Sequence, residues 1–115
     1  MSKKLYLVHW DESEANELAA KYDPEKWEVE YEFEDGARAV SAIKAKLPDV
    51  VVIYLTKLPS HGAETAHAIR HLKATKHLPI IFVGGKPDGL EKVKAKVPDA
   101  VFVQESQLES ALAAI

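Results

Sequence analysis

Three short stretches of this chain are apolar throughout, and they constrain its fold more than any other feature. They lie at residues 5–8, 50–55 and 79–83. A strand with one face in water alternates apolar and polar residues, whereas a strand that is covered on both faces reads as a continuous apolar run. The three runs therefore predict central strands of a parallel sheet that carries helices on both of its faces.

Between and after these runs, apolar residues recur at the spacing of one helical face. Asp11 is expected to begin the first helix as its N-cap, with Glu14 completing a capping box, and Asp23-Pro24 to end it. Two later boxes are predicted in the same way, Asp88 with Glu91 and Ser106 with Glu109. In the four later helices, the residues expected to face inward are Val40, Ile43 and Leu47; Thr65, Ala68, Ile69 and Leu72 after Gly62; Leu90, Val93 and Val97; and Leu108, Leu112 and Ile115.

The segment 27–34 has a different pattern, because apolar and acidic residues alternate strictly. Its acidic members are Glu28, Glu30, Glu32 and Glu34. A period of two predicts a strand with one acidic face, which we expect to lie in water. Charges along an exposed strand discourage edge-to-edge association, so this strand is predicted at an edge of the sheet. A fifth, short strand is predicted at residues 100–103.

Strands and helices thus alternate five times, which predicts an α/β protein of one domain over residues 1–115. The burial pattern fits a flavodoxin-like three-layer sandwich with a five-stranded parallel sheet in the order 2-1-3-4-5. Ligands of such sheets bind beyond the carboxyl ends of the strands, where the strand order reverses. Any binding site is therefore expected beside the ends of strands one and three.

Composition excludes several classes of function. The chain has no Cys, so disulfides, thiolate catalysis and Cys-based zinc sites are excluded. The net charge of −3 gives no general reason to approach nucleic acid. The apolar stretch near the start is too short for a signal peptide or a membrane span, so we expect a cytoplasmic protein without membrane contact. No metal or other cofactor is expected.

The second apolar run, at residues 50–55, carries a family resemblance. Pro48-Asp49 and four apolar residues lead to Tyr54, and Pro59 and Gly62 follow. This stretch resembles the third strand of response-regulator receiver domains, in which the place of Tyr54 belongs to a phosphate-accepting Asp. The resemblance places His9 and Trp10 where receivers hold Mg²⁺ with two acidic residues. It implies a pseudo-receiver, because a phenol cannot form an acyl phosphate.

Two more receiver positions also depart from the pattern. The Ser or Thr that ends the fourth strand falls at Gly84, and the Lys that follows the fifth strand falls at Gln104 or Glu105. The segments 58–62, 75–80 and 98–101 are also similar to a little-described group of bacterial stand-alone receiver-like proteins, in which an Asp can occupy the place of Tyr54. No assigned activity comes with that similarity.

Several side chains are expected to share one rim of the sheet. They can form a pocket for a small anion or polar ligand, with an aromatic floor and a few polar groups. The competing interpretation is that the aromatic residues merely fill the space left by metal and phosphate. The candidate pocket residues are His9, Trp10, Tyr54, Lys57, Ser60, His61, Gly84 and Glu105.

Three other arrangements suggest chemistry, and each has a structural alternative. Ser60 and His61, with Glu105 to orient the base, suggest a hydrolase, but adjacent residues rarely point at each other. Glu64, His67 and His71 share a helical face that can bind Zn²⁺, and the structural alternative is a solvated face that happens to carry histidines. Gly84-Gly85-Lys86 can cradle phosphate through backbone N–H groups. A simple turn explains these residues as well, because no phosphate-binding glycine motif is present.

The remaining hypothesis concerns contact with proteins. The fourth helix is basic and the last helix is short and apolar, which predicts an interaction face at Lys92, Lys96, Leu112 and Ile115. The interpretation that we favour is a non-phosphorylatable receiver-like adaptor, not an enzyme, which binds a protein partner or a second copy of itself. The alternatives are a small-ligand or anion sensor and an enzyme of unknown chemistry.

Overall fold

The computed structural model describes residues 2–115, and Met1 lies outside that range. Strands and helices alternate along the chain as the apolar runs predict. A single 3₁₀ turn at Glu105–Gln107 precedes the last helix. The elements are β1 Lys3–Val8, α1 Glu12–Lys21, β2 Trp27–Glu32, α2 Gly36–Ala45, β3 Val50–Tyr54, α3 Pro59–His71, β4 Ile80–Val83, α4 Pro87–Lys96, β5 Val101–Val103 and α5 Leu108–Ala113.

All five strands are parallel and follow the order β2-β1-β3-β4-β5. The predicted flavodoxin-like fold and strand order are therefore confirmed. The three wholly apolar runs are the interior strands, and every residue of β3 and β4 is buried. The glutamate-rich strand β2 lies at one edge, as predicted. Because the strands are parallel, all their carboxyl ends meet on one side of the molecule, and this side carries the candidate site.

The sheet separates two hydrophobic cores. One core joins α2, α3 and α4 to the sheet through residues such as Ile43, Ile69 and Val93. The other joins α1 and α5 through Leu18, Leu108 and Leu112. Alternate residues of each central strand point into opposite cores, which is why the buried stretches of these strands carry no charged residue. Among residues 2–115, no helix is long and apolar enough to cross a membrane.

The acidic face of β2 is not wholly in water, which corrects the sequence prediction. Glu28 and Glu30 are exposed, but only 7% of Glu32 is accessible. Arg38 of α2 donates hydrogen bonds of 2.8 Å to both carboxylate oxygens of Glu32. The backbone N–H groups of Glu34 and Asp35 donate to the same carboxylate. This pairing lowers the pKa of Glu32 to about 2, so the carboxylate stays ionised although it is buried.

Several predicted helix boundaries also need correction. Helix α3 begins at Pro59, ahead of Gly62, because proline suits the first helical position. Helix α4 follows Lys86 with Pro87 in its first turn, so the predicted capping box of Asp88 is absent. The box before α5 is formed by Gln104 and Gln107 instead of Ser106 and Glu109.

Individual side chains depart from the predicted stripes in two helices. Leu47 lies beyond the end of α2 and is 44% exposed. In α3 the buried residues include Ala63 and Ala66, whereas Ala68 is only half-buried. Asp11, by contrast, caps α1 as predicted, because its carboxylate accepts a hydrogen bond from the backbone N–H of Glu14.

Candidate functional site

Two aromatic rings fill the centre of the strand-end region. His9 follows β1 and is 3% exposed, and Tyr54 ends β3 and is 4% exposed. Their rings stack with centroids 5.1 Å apart and an angle of 23° between the planes. Val8 of β1 is in register with Ile53 of β3, so the next residues along the two strands, His9 and Tyr54, lie side by side.

Tyr54 is fixed further by the turn before α5. Its hydroxyl donates a 3.0 Å hydrogen bond to Glu105 Oε1. Burial raises the pKa of Tyr54, and the hydrogen bond to Glu105 raises it further, so the phenol stays protonated. Burial likewise raises the pKa of the nearby Tyr22 to about 12, and the hydroxyl of Tyr22 has no hydrogen-bond partner among the described residues.

A chain of polar contacts runs from His9 to the surface. His9 Nε2 lies 3.1 Å from Glu14 Oε2, and Lys57 Nζ lies 3.8 Å from the same oxygen. Lys57 Nζ also donates to Asp11 Oδ2 at 2.5 Å. This ion pair, together with the N–H of Glu14, holds the pKa of Asp11 far below its usual range. The carboxylates of Asp11 and Glu14, which follow the carboxyl end of β1, thus both lie near the same lysine.

His9 is expected to be neutral at pH 7. Burial lowers its pKa, although the carboxylates of Glu14 and Asp11 act in the opposite direction. The Glu14 carboxylate 3.1 Å from Nε2 favours the tautomer with its proton on Nε2, in which Nδ1 is an acceptor. Nδ1 is buried and has no partner among residues 2–115. The His9 side chain therefore serves as a packed, neutral ring at this position.

Trp10 occupies the other side of the sheet. It packs against the core beneath α2 and α3, and its ring meets the ring of His61 edge-on at 5.8 Å. A Cβ atom at Gly62 would come within 2.9 Å of Ile53, so only glycine lets the start of α3 approach β3 this closely. Trp10 Nε1 is buried without a partner among the described residues.

The eight candidate pocket residues are therefore not brought together in one cavity. His9, Tyr54 and Glu105 form one contact group, and Trp10 and His61 form another on the opposite face of the sheet. Lys57 pairs with Asp11, and Ser60 lines a groove between α3 and α4. Gly84 forms part of the turn after β4 with a φ of 77°.

The residues of the hydrolase, zinc and phosphate hypotheses do not converge on one site. His61 contacts Trp10, and Glu105 accepts from Tyr54, so no orienting carboxylate reaches His61. The rings of His67 and His71 are 4.0 Å apart, but no group of three ligands that could hold a metal exists in the described part of the chain. Gly84 and Gly85 precede Pro87, which has no N–H to offer to a phosphate.

The four residues of the predicted interaction face lie on different sides of the sheet. Lys92 and Lys96 are exposed on α4, whereas Leu112 packs in the core beneath α1 and α5 and is only 7% exposed. Ile115 is half-buried against that same core, and its carbonyl accepts a hydrogen bond from Lys3. Leu112 is therefore a core residue, and the apolar C-terminal surface expected for a second copy is largely used within the chain.

Sequence reasoning missed two polar clusters. The first is the pair formed by Glu32 and Arg38, which alternation alone assigned to solvent. The second is Arg70, which donates to Asp99 Oδ1 at 3.1 Å and to the carbonyl of Leu78 at 2.5 Å. The sequence did contain a signal for the first cluster: an edge strand ends in a carboxylate, and an arginine follows six residues later. Nothing local in the sequence marks the second.

Solved structures of receiver proteins share this architecture. The chemotaxis protein CheY4 of Vibrio cholerae aligns with a TM-score of 0.80 and 19% identity, over 100% of this chain and 99% of that chain. The N-terminal domain of a response regulator receiver protein from Methanoculleus marisnigri aligns at 0.69 with 18% identity, covering 98% and 95%. A LuxR-family response regulator from Aurantimonas sp. aligns at 0.72 with 19% identity, covering 99% and 84%.

At these identities, the likenesses establish the fold: the chain has the receiver type of flavodoxin-like fold. No protein-family model matches the sequence, and no curated protein matches it either.

Proposed function

We propose that this protein is a receiver-like signalling adaptor that accepts no phosphate and acts by binding another protein. The observation that carries the proposal is the state of Tyr54. This residue takes the place that the receiver resemblance gives to the phosphate acceptor, and there it is buried, stacked on His9 and bonded to Glu105. A phenol held in this way offers no carboxylate for an acyl phosphate.

The metal that receivers use also lacks ligands here. Mg²⁺ is bound through carboxylate oxygens and phosphate, but His9 and Trp10 occupy the two positions that the resemblance assigns to acidic residues. Among the carboxylates near these positions, those of Asp11 and Glu14 lie within 4.0 Å of Lys57 Nζ, and that of Glu105 accepts a hydrogen bond from Tyr54. A divalent cation would have to displace this lysine, so the arrangement favours an adaptor over a phosphotransfer protein.

Function is then expected to depend on a surface. We expect a cytoplasmic protein partner, or a second copy of this chain, and neither nucleic acid nor membrane. The exposed lysines of α4 give this part of the molecule a positive surface, although the chain as a whole carries a net charge of −3. A positive patch on a protein of negative net charge orients its encounter with a partner that carries a negative surface. No set of acid, base and nucleophile converges among the described residues, which supports a role other than catalysis.

The charge-reversal variant Lys92→Glu with Lys96→Glu is expected to abolish capture of the native partner in pull-downs from the source cells, or to change the oligomer seen by light scattering. The reason is that the two new glutamate side chains would repel an acidic partner surface that the lysines attract in the wild-type chain. Circular dichroism should show an unchanged fold, because surface substitutions of this kind cost about 0.5 kcal/mol or less.

His61→Ala, which changes a side chain that does not line the α3 to α4 groove, is the matched comparison, and it should leave the captured protein and the oligomeric state unchanged. The opposite pattern, with His61→Ala inactive and the lysine variant normal, would contradict the proposal. It would favour a ligand sensor built around the strand ends, where His9 and Trp10 each hold a buried nitrogen without a partner.

A further inference from the structure

A groove of about 490 Å³ runs between the start of α3 and the length of α4. Ala63 and Val93 form a buried apolar floor, at 5% and 2% exposure. Pro59 and Ser60 line the α3 side and are exposed. The groove therefore has an apolar base between exposed walls, and the strand-end aromatic rings are not part of it.

Gly89 makes the α4 wall open. A Cβ atom built at Gly89 meets no other atom within 4 Å, so the space above this residue is free. Gly89 does not adopt a positive φ, unlike Gly84 and Gly85, and therefore has no conformational need for glycine. Gly89 is the third residue of α4, and glycine is a poorer helix former than alanine. The missing side chain at this position widens the groove.

Two lysines line the same wall. Lys92 and Lys96 are four residues apart on α4, so they project from one face of the helix. Lys96 Nζ lies 3.4 Å from Glu64 Oε1 across the groove, whereas no carboxylate among residues 2–115 lies within 4.0 Å of Lys92 Nζ. The wall therefore carries positive charge that the chain neutralises only in part.

Leu58 adds an exposed apolar group beside the groove. It directly precedes Pro59, is 51% exposed and has a left-handed backbone with a φ of 45°. A leucine is rarely found in this conformation, since its Cβ crowds the following carbonyl. Both the exposure and the backbone strain disfavour leucine for folding alone, so the side chain fits a role in contact with another molecule.

We infer that this groove binds an acidic amphipathic helix of a protein partner. Apolar side chains of that helix would cover Ala63 and Val93, and carboxylates four residues apart would pair with Lys92 and Lys96. A small molecule is a poorer occupant, because few polar groups converge on the floor to orient it. The inference rests on the proposed adaptor function and adds the location and the chemistry of the contact.

A second copy of this chain is the less favoured occupant. Its exposed acidic residues on the β2 edge, Glu28 and Glu30, lie 3.8 and 3.5 Å from Lys46 Nζ of their own molecule. That acidic patch is thus partly neutralised before any contact forms. A copy docked through its β2 edge would also join unlike surfaces and lead to open chains of molecules. Light scattering of the wild-type protein tests this occupant, and filaments or oligomers that Lys92→Glu disperses would overturn the inference.

The probe for the test is a fluorescein-labelled, helix-forming peptide with Leu and Glu each repeated at four-residue spacing. We expect saturable binding by fluorescence anisotropy, with a Kd on the order of 100 µM that rises with salt. A scrambled peptide of the same composition should bind about tenfold more weakly, because it cannot present both faces at once. Equal binding of the scrambled peptide, or none of either peptide, would overturn the inference.

Variants of the groove make the test specific. Gly89→Phe should fill the groove and weaken binding about tenfold, whereas Gly89→Ala should bind normally and unfold at a higher temperature. Lys92→Glu with Lys96→Glu should also weaken binding about tenfold, and the matched reversal Lys73→Glu with Lys76→Glu should not. Leu58→Gly should raise the unfolding temperature and weaken peptide binding.

The two proposals fail in different ways. Unchanged peptide binding by Gly89→Phe, with loss in the α4 lysine variant, would reject the groove and leave a charged surface able to act as an adaptor. Normal capture of the native partner by the lysine variant would reject the proposed adaptor surface itself. Should Gly89→Phe fail to fold, Leu58→Gly and the two matched lysine pairs decide the question for the groove.

Discussion

Val52→Asp is expected to abolish folding. Val52 is fully buried at the middle of β3, in register with Leu7 on one side and Ile81 on the other. An unpaired carboxylate there costs several kcal/mol in desolvation, and the loss of valine packing adds to that cost. Such a sum approaches the total stability of an ordinary domain, which is about 5 to 15 kcal/mol. Far-UV circular dichroism should show no cooperative thermal transition.

Glu30→Val is the control for this prediction, because it changes the edge strand β2 at an exposed position. It should alter the free energy of unfolding by about 0.5 kcal/mol or less. It should also promote self-association, visible by light scattering, since a charge that protects a sheet edge is lost. Equal destabilisation by Glu30→Val and Val52→Asp would contradict the assignment of exposed and buried strands.

Tyr54→Asp should destabilise the protein by about 4 kcal/mol at pH 7. The change removes a ring that stacks on His9 and places a carboxylate in a buried position near Glu105. Burial and the neighbouring negative charge would raise the pKa of the new carboxyl group above its unfolded value. The native state then binds the proton more tightly, so the deficit relative to wild type should shrink as the pH falls towards 4. Urea unfolding at pH 7 and at pH 4, for both proteins, measures this difference in the free energy of unfolding.

Tyr54→Phe separates packing from hydrogen bonding at the same position. It keeps the stacked ring and loses only the bond to Glu105, so we expect a cost of about 1 kcal/mol with no such dependence on pH. If Tyr54→Asp were no less stable than Tyr54→Phe, the strand end would be an open, hydrated site able to hold a carboxylate. That result would remove the main support for the proposed function.

Much of the fold could be predicted because the strongest signals are also the most local ones. The apolar runs of β1, β3 and β4 leave no polar face, so they had to be interior strands, and the alternating β2 had to be an edge. These two facts are enough to favour the strand order 2-1-3-4-5. The cap at Asp11 was equally local, since its carboxylate reaches only three residues along the chain.

The candidate site could be predicted less well, because it depends on which residues neighbouring elements cover. Alternation assigned Glu32 to water, but α2 brings Arg38 over the end of β2 and buries it. The strand-end residues His9, Trp10 and Tyr54 lie at the carboxyl ends of β1 and β3. Their division between two faces follows from the alternation of side chains past the ends of β1 and β3, which separates His9 from Trp10.

The groove between α3 and α4 was the part that sequence patterns could not predict. Its floor comes from Ala63 and Val93, which lie thirty residues apart in sequence, and only Val93 was predicted to face inward. Its width depends on Gly89, whose lack of a side chain has no meaning until the neighbouring helix is in place. Such a feature arises from packing between helices and leaves no local signal.

Incubation with acetyl phosphate and Mg²⁺, followed by intact-mass spectrometry, tests the central claim most directly. Tyr54 is a buried phenol bonded to Glu105, and the carboxylates of Asp11 and Glu14 face Lys57, so the wild-type protein should keep its unmodified mass. A phosphorylatable receiver protein in the same tube serves as the positive control. A stable adduct of about 80 Da, the mass of one phosphoryl group, on the native wild-type chain would contradict the account.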